Sequence, residues 1–204
     1  MPHRFQMEKT VSAVFNFLIL GIAGSIGVAA YGIVANLSIV GMSILNGLAQ
    51  GVQPLISESY GKGNQKTVRK LLRWGMNSAI VVELVMVVFV WLFTDQLVAV
   101  FNSENNPMLL KYAHTGLQLY FLGFLFAGIN ILLVAYFSAT ANVRPAIIGS
   151  LLRGVIAIVI CAVILSGILG MNGVWLSFLA SEMITFVVIL ILSRKKESVT
   201  NDDI

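Results

Sequence analysis

Six long apolar stretches separated by short connections constrain this chain more than any motif in it. The clean ones run Leu71 to Phe93, Tyr112 to Phe137, Ala146 to Leu169 and Val174 to Leu192. A helix rises about 1.5 Å per residue and needs roughly 20 apolar residues to cross the hydrocarbon of a bilayer, and these runs reach that length. Unpaired backbone groups are costly in lipid, so only helices or closed barrels span it, and continuous apolar runs lack the alternation of a barrel strand. With 58% hydrophobic and 11% charged residues, the chain has too little polar surface to wrap a water-soluble core of 204 residues. The expectation is an all-α polytopic membrane protein of six transmembrane helices in a lipid bilayer. Residues 1–9 read as a cytoplasmic start, 10–193 as the helical lobe and 194–204 as a cytoplasmic tail with little to bury.

The net charge of +4 could point to nucleic acid, but the basic residues alternate between connections and do not gather on one face. Arg4 and Lys9 precede the first span, and Lys62, Lys66, Arg69, Lys70 and Arg73 separate the second from the third. Arg144 opens the fifth, and Arg194, Lys195 and Lys196 close the sixth. The intervening connections, Gly27 to Ala29, Thr94 to Lys111 and Gly170 to Gly173, hold a single basic residue, Lys111. By the positive-inside rule both termini are cytoplasmic.

Two stretches are less regular. Val11 to Ala23 is short for a span and is interrupted by Ser12 and Asn16. With Arg4 and Lys9 ahead of it and Ala29 and Ala30 behind, it reads either as a retained helix or as a cleaved signal peptide. Ala30 to Ile56 is longer than a membrane requires, and Pro54 predicts a bend in its last turn. The Tyr60, Gly61, Lys62, Gly63, Asn64 stretch then supplies a turn.

In that long stretch Asn36, Ser43, Asn46, Gln50, Gln53 and Ser57 recur at helical spacing and share one face, with Gly47 and Gly51 alongside at small-xxx-small spacing. Amides facing lipid are penalised, so the stripe predicts either hydrogen bonding between helices or the polar wall of a solute pathway. A milder stripe on the fourth helix, Gly116, Tyr120, Gly123, Ala127 and Asn130, predicts close packing or an aromatic lining for a cationic solute. Glu83 lies ten residues beyond Arg73 and Glu182 twelve before Arg194, which puts both near the bilayer midplane. A carboxylate at that depth must find a partner or give up its charge, so both are proton-coupling candidates.

Enzyme chemistry finds no footing. His3 and His114 lie toward opposite membrane faces, and no H-x-x-x-H, C-x-x-C or P-loop pattern occurs. No catalytic residue, metal ligand or cofactor is expected beyond a coupling ion. The single cysteine, Cys161, sits in an apolar run and reads as packing.

Taken together, AAYGIVAN from Ala29, NGLAQGVQPLIS from Asn46 and YGKGN from Tyr60 resemble the MATE family of multidrug and toxic compound extrusion transporters. FSATANVRPAIIGSLLRG from Phe137 and NGVWLSFLASE from Asn172 are similar to the same family. The resemblance covers nearly the whole chain after about residue 10, and GLAQGVQPLIS followed by YG is its most specific part. It implies one lobe of a two-lobe transporter, the C-terminal six-helix lobe, with the N-terminal lobe or a second copy of the chain as partner. The function implied is cation-coupled (H+ or Na+) antiport of organic cations by alternating access in a plasma (inner) membrane, with this lobe inactive alone. Asn36, Asn46, Gln50, Gln53, Tyr120 and Asn130 then become pathway residues. In the family, proton-coupled members use an acid in the first helix of the absent lobe, and sodium-coupled members use acids in the seventh and tenth helices. The helix here equivalent to the tenth has none, and Glu8 stands near the start of the one equivalent to the seventh. A non-transporting accessory or remnant subunit and a lipid-linked saccharide flippase relative are the alternatives. The flippase would need a basic cavity, for which Arg153 is the one intrahelical candidate.

Overall fold

The computed structural model describes the backbone of residues 2–201 and the side chains of residues 11–193. The sequence readings that rest on the side chains of Arg4, Glu8, Lys9 and Arg194 to Lys196 lie outside the described residues. Among those described, the chain is helical with short breaks and holds no strand.

Four helical runs are long and apolar enough to cross a membrane, Val11–Gly61, Gln65–Leu92, Val143–Leu169 and Met171–Ser193, and a bent pair of helices makes a fifth. The first of these is two arms. α1 (Pro2–Gly61) leaves helical backbone at Gly24, where φ is 64° and ψ −158°. On a straight helix Phe15 and Tyr31 would stand about 24 Å apart. Their rings stack with centroids 5.3 Å apart, so the chain reverses at Gly24 and the arms run antiparallel. The second reversal of this kind follows α7, at Gly170, where φ is 58°. Only a residue without Cβ adopts these conformations cheaply, and glycine stands at both.

α2 (Gln65–Leu92) starts at Asn64, whose side chain accepts from the Thr67 amide at 3.1 Å, after a turn at Gly63 with φ 71°. α3 (Thr94–Phe101) is a short helix inside the stretch expected to be a plain connection. α4 (Pro107–Phe121) begins with Asn106 capping the amides of Met108 and Leu109, and Pro107 fills the first turn, where no donor is needed. α5 (Phe124–Ala139) follows α4 across Leu122 and Gly123 with a bend of 43°. α6 (Val143–Leu151) passes through a π-helical turn, Leu152–Ile156, into α7 (Ala157–Leu169), and α8 (Met171–Asn201) packs back along α7.

Three expectations change against this. The reversal expected at Gly27 to Ala29 is at Gly24, because only Gly24 takes the left-handed backbone. Six helices become seven helical segments, namely the two arms of α1, α2, α3, the α4–α5 pair, the α6–α7 run and α8. α8 also continues to Asn201, since no Gly or Pro stops it where the sequence suggests a loose tail.

The core lies where both arms of α1 meet α4, α5 and α8. Phe15, Ile19, Val34, Leu117, Phe124, Ala127, Val174 and Trp175 have no exposed surface there. The short first arm is therefore part of the core and does not stand apart from it. Cys161 is buried and unpaired, in keeping with a packing role.

Candidate functional site

The two groups of polar residues found in the sequence occupy different places. Asn36, Ser43 and Gln50 are exposed along the second arm of α1, and Asn46 and Gln53 are half-buried beside them. Ser43 and Asn46 turn back on their own helix, donating to the carbonyls of Ile39 and Met42 at 2.7 Å each. Asn36, Gln50 and Gln53 make no hydrogen bond among the described residues. Gly47 and Gly51 are equally open, with no atom within 4 Å of where a Cβ would stand. Within this lobe, then, the small-residue spacing packs against nothing and the amides bridge no helices. The stripe is an open polar face on a helix whose length crosses a membrane.

Tyr120 and Asn130 belong to the interior. A Cβ on Gly116 would come within 3.0 Å of Trp175 and Val34, and one on Gly123 would overlap the Phe178 ring. These glycines let α4 and the start of α5 lie directly on α8. Tyr120 stacks on Phe178 with ring centroids 4.5 Å apart and near-parallel planes. Rings at this spacing add about 0.5–1.5 kcal/mol beyond their buried area. The packing reading of the fourth-helix stripe is the one its contacts match.

Asn130 has no exposed surface. Its Nδ2 donates to the Glu182 carbonyl at 2.8 Å and to Glu182 Oε2 at 2.7 Å, which fixes the amide's orientation and leaves Oδ1 without a partner. Glu182, on α8, also accepts from Arg153 Nε, which stands 3.2 Å from each carboxylate oxygen. Arg153 sits in the π-helical turn. One extra residue per turn there shifts the register of the side chains that follow, a device that recurs at functional positions in helices. The partner of Glu182 is what sequence reading missed. Arg153 and Glu182 lie 29 residues apart, and the one available signal was the coincidence of a lone intrahelical base with two acids at similar depth, which does not say which acid it meets.

Glu83 approaches α5 from α2. It is 1% exposed, and its Oε1 accepts from the amides of Gly128 and Ile129 at 2.5 and 3.2 Å. A Cβ on Gly128 would lie 2.6 Å from that oxygen, so the contact requires glycine. These amides are the fifth and sixth of α5, past the four that a helix start leaves unpaired, so Glu83 meets the side of the helix and not its terminus. The three residues Gly128 to Asn130 thus hold both interior acids, one through backbone and one through side chain. Among the described residues no group of three His, Cys, Asp or Glu side chains could hold a metal.

Comparisons with known proteins bear on the family and the fold. The MatE family model matches residues 5–163. A multidrug export protein named MepA from Staphylococcus saprophyticus is 28% identical over 195 residues, covering 93% of this chain and 41% of its own length. MepA of Staphylococcus aureus is 30% identical over 193 residues, with 91% and 40% covered. The chain thus spans about two fifths of the length of the curated relatives it matches. Among solved structures, an outward-facing multidrug resistance MATE transporter of the MOP superfamily superposes with a TM-score of 0.85 at 18% identity, over 98% of this chain and 45% of that one. An inward-facing one does so with a TM-score of 0.83 at 20% identity, over 93% and 44%. On the family match and this shared fold, the chain is a multi-pass membrane protein that belongs to the MatE family.

Proposed function

We propose that this chain works as the C-terminal lobe of a cation-coupled antiporter that exports organic cations and related drugs from the cytoplasm. Its open polar face forms one wall of the pathway, a second lobe forms the other, and the lobe alone is inactive. The observation that carries this reading is the stripe of Asn36, Gln50 and Gln53, which finds no partner within the lobe although lipid would penalise it. Gly47 and Gly51 beside it leave room for another helix to approach. The MepA relatives are named multidrug export proteins, which supports the substrate class. Near-equal likeness to an outward-facing and an inward-facing transporter supports a lobe that moves as a rigid body, as alternating access requires.

In this reading Asn36, Asn46, Gln50 and Gln53 line the pathway directly. Tyr120 and Asn130 support it from behind, joined to α8 through Phe178 and Glu182. The coupling ion, H+ or Na+, acts at the interior acids Glu83 and Glu182 or in the second lobe. The membrane is the plasma membrane and both termini are cytoplasmic, as the basic connections Lys62 to Arg73 and Arg144 favour. A saccharide flippase is disfavoured because Arg153, the one base available for its cavity, is already paired with Glu182.

Expression in efflux-deficient cells is expected to give no drug resistance, and co-expression with a MATE N-terminal lobe to restore some of it. Gln50→Ala and Gln53→Ala should then lower the restored resistance at unchanged membrane levels. Robust efflux by this chain alone would replace the missing lobe with a second copy. Restored resistance that is indifferent to both substitutions would leave the stripe a role in association only.

A further inference from the structure

Three side chains capable of full charge lie deep in the spanning helices among the described residues, two acids and one base: Glu83, Glu182 and Arg153. With all three ionised, the interior holds one negative charge more than it can pair. An unpaired buried charge costs several kcal/mol even after relaxation, so the lobe has to gain a positive charge or lose a negative one.

The bonding shows which acid goes without. Arg153 Nε stands 3.2 Å from both oxygens of Glu182, and Asn130 reaches one of them, a pattern that suits a carboxylate with its charge shared between two oxygens. At Glu83 both donors converge on Oε1. No donor among the described residues reaches Oε2, which is the oxygen left free to carry hydrogen. No cation meets Glu83 among the described residues. α1 offers Tyr31 as its single ionisable residue from Val11 to Ser57, and α5 offers Tyr136 near its end. α4 offers Tyr120 at the bend, with Lys111, Tyr112 and His114 nearer its start, and Asp95 of α3 is exposed at the rim. α8 offers Glu182, which Arg153 pairs.

We propose that Glu83 is a proton-binding site of this lobe, carrying hydrogen on Oε2 while its Oε1 accepts from Gly128 and Ile129, and that Glu182 is kept ionised by Arg153. Release of the proton leaves a full negative charge against the first turns of α5 and strengthens both amide bonds, because charge-assisted hydrogen bonds are about twice as strong as neutral ones. Those amides follow the 43° bend between α4 and α5, so gain and loss of the proton act next to that bend. The meaning of this for coupling rests on the antiporter reading, but the seat of the proton does not.

Infrared spectra of the purified chain in lipid nanodiscs at neutral pH test it without any transport measurement. A carboxylic acid carbonyl band is expected in the unaltered chain, lost in Glu83→Gln and kept in the double variant Arg153→Gln/Glu182→Gln. The double variant answers even if Glu83→Gln does not fold, because Glu83 is then the one acid left in the described interior. Absence of the band from the unaltered chain, or from the double variant, overturns the proposal. So does a band that vanishes when choline is replaced by sodium at constant pH, since a metal ion would then supply the missing charge. Failure of co-expression with an N-terminal lobe to restore resistance would count against the antiporter reading alone.

Discussion

Glycine has two different uses in this lobe, and the residues around each one decide its cost of replacement. At Gly128 a Cβ would stand 2.6 Å from Glu83 Oε1 and 2.9 Å from Leu45 Cδ2, so Gly128→Ala has to push Glu83 off the α5 amides. Overpacking of this kind costs about 1–3 kcal/mol. At Gly47 nothing lies within 4 Å, and alanine favours helix over glycine by up to about 1 kcal/mol. Thermal unfolding of the purified chain should therefore show Gly128→Ala with a lower Tm and Gly47→Ala with an equal or higher one. Equal losses at both would mean that the Gly47 face is covered. The two acids were legible in the sequence as costly groups at mid-depth, but their partners were not. Backbone amides carry no sequence signature, and Arg153 meets Glu182 only because α6, α7 and α8 fold together.

At the scale of elements, the turns control the packing of the helices. Gly24 and Gly170 take positive φ at the two hairpins, and Gly173 sits so close to the end of α7 that a Cβ would overlap the Leu165 carbonyl. Gly24→Ala meets no neighbour, so its cost is conformational, about 1–3 kcal/mol. Gly173→Ala collides with backbone that cannot move without parting α7 from α8, the most extensively packed helix pair. The expected order of Tm is therefore unaltered chain, then Gly24→Ala, then Gly173→Ala, read from the fluorescence of the fully buried Trp175 in a Trp74→Phe/Trp91→Phe background. The reverse order would mean that α1 does not turn at Gly24. Sequence placed the first reversal three residues late because Gly21, Gly24 and Gly27 look alike in a list, and only the backbone distinguishes the one at positive φ. The turn at Gly63 was legible, since it acts within four residues.

Across the whole molecule, the alternation of antiparallel runs puts the Lys62–Gly63 turn on one side of the membrane and the Gly24 and Gly170 hairpins on the other. Single cysteines at Lys66 and at Asn172, in a Cys161→Ala background, should react with an impermeant thiol reagent from opposite sides, Asn172 from outside. Labelling of both from one side would overturn the topology.

Helical class and the distribution of charge followed from the sequence alone, because solvation by lipid acts on each segment independently of the others. The stripe of Asn36, Gln50 and Gln53 was also legible, since helical periodicity is a local property. What the stripe faces, which acid is paired, and where the long first helix reverses were decided by the tertiary structure. Each depends on residues far apart in the chain meeting at short range, as Gly128 meets Glu83 and Arg153 meets Glu182. Hydrophobic spacing does not encode such contacts, because it fixes which face of a helix turns inward and not which helix it finds there.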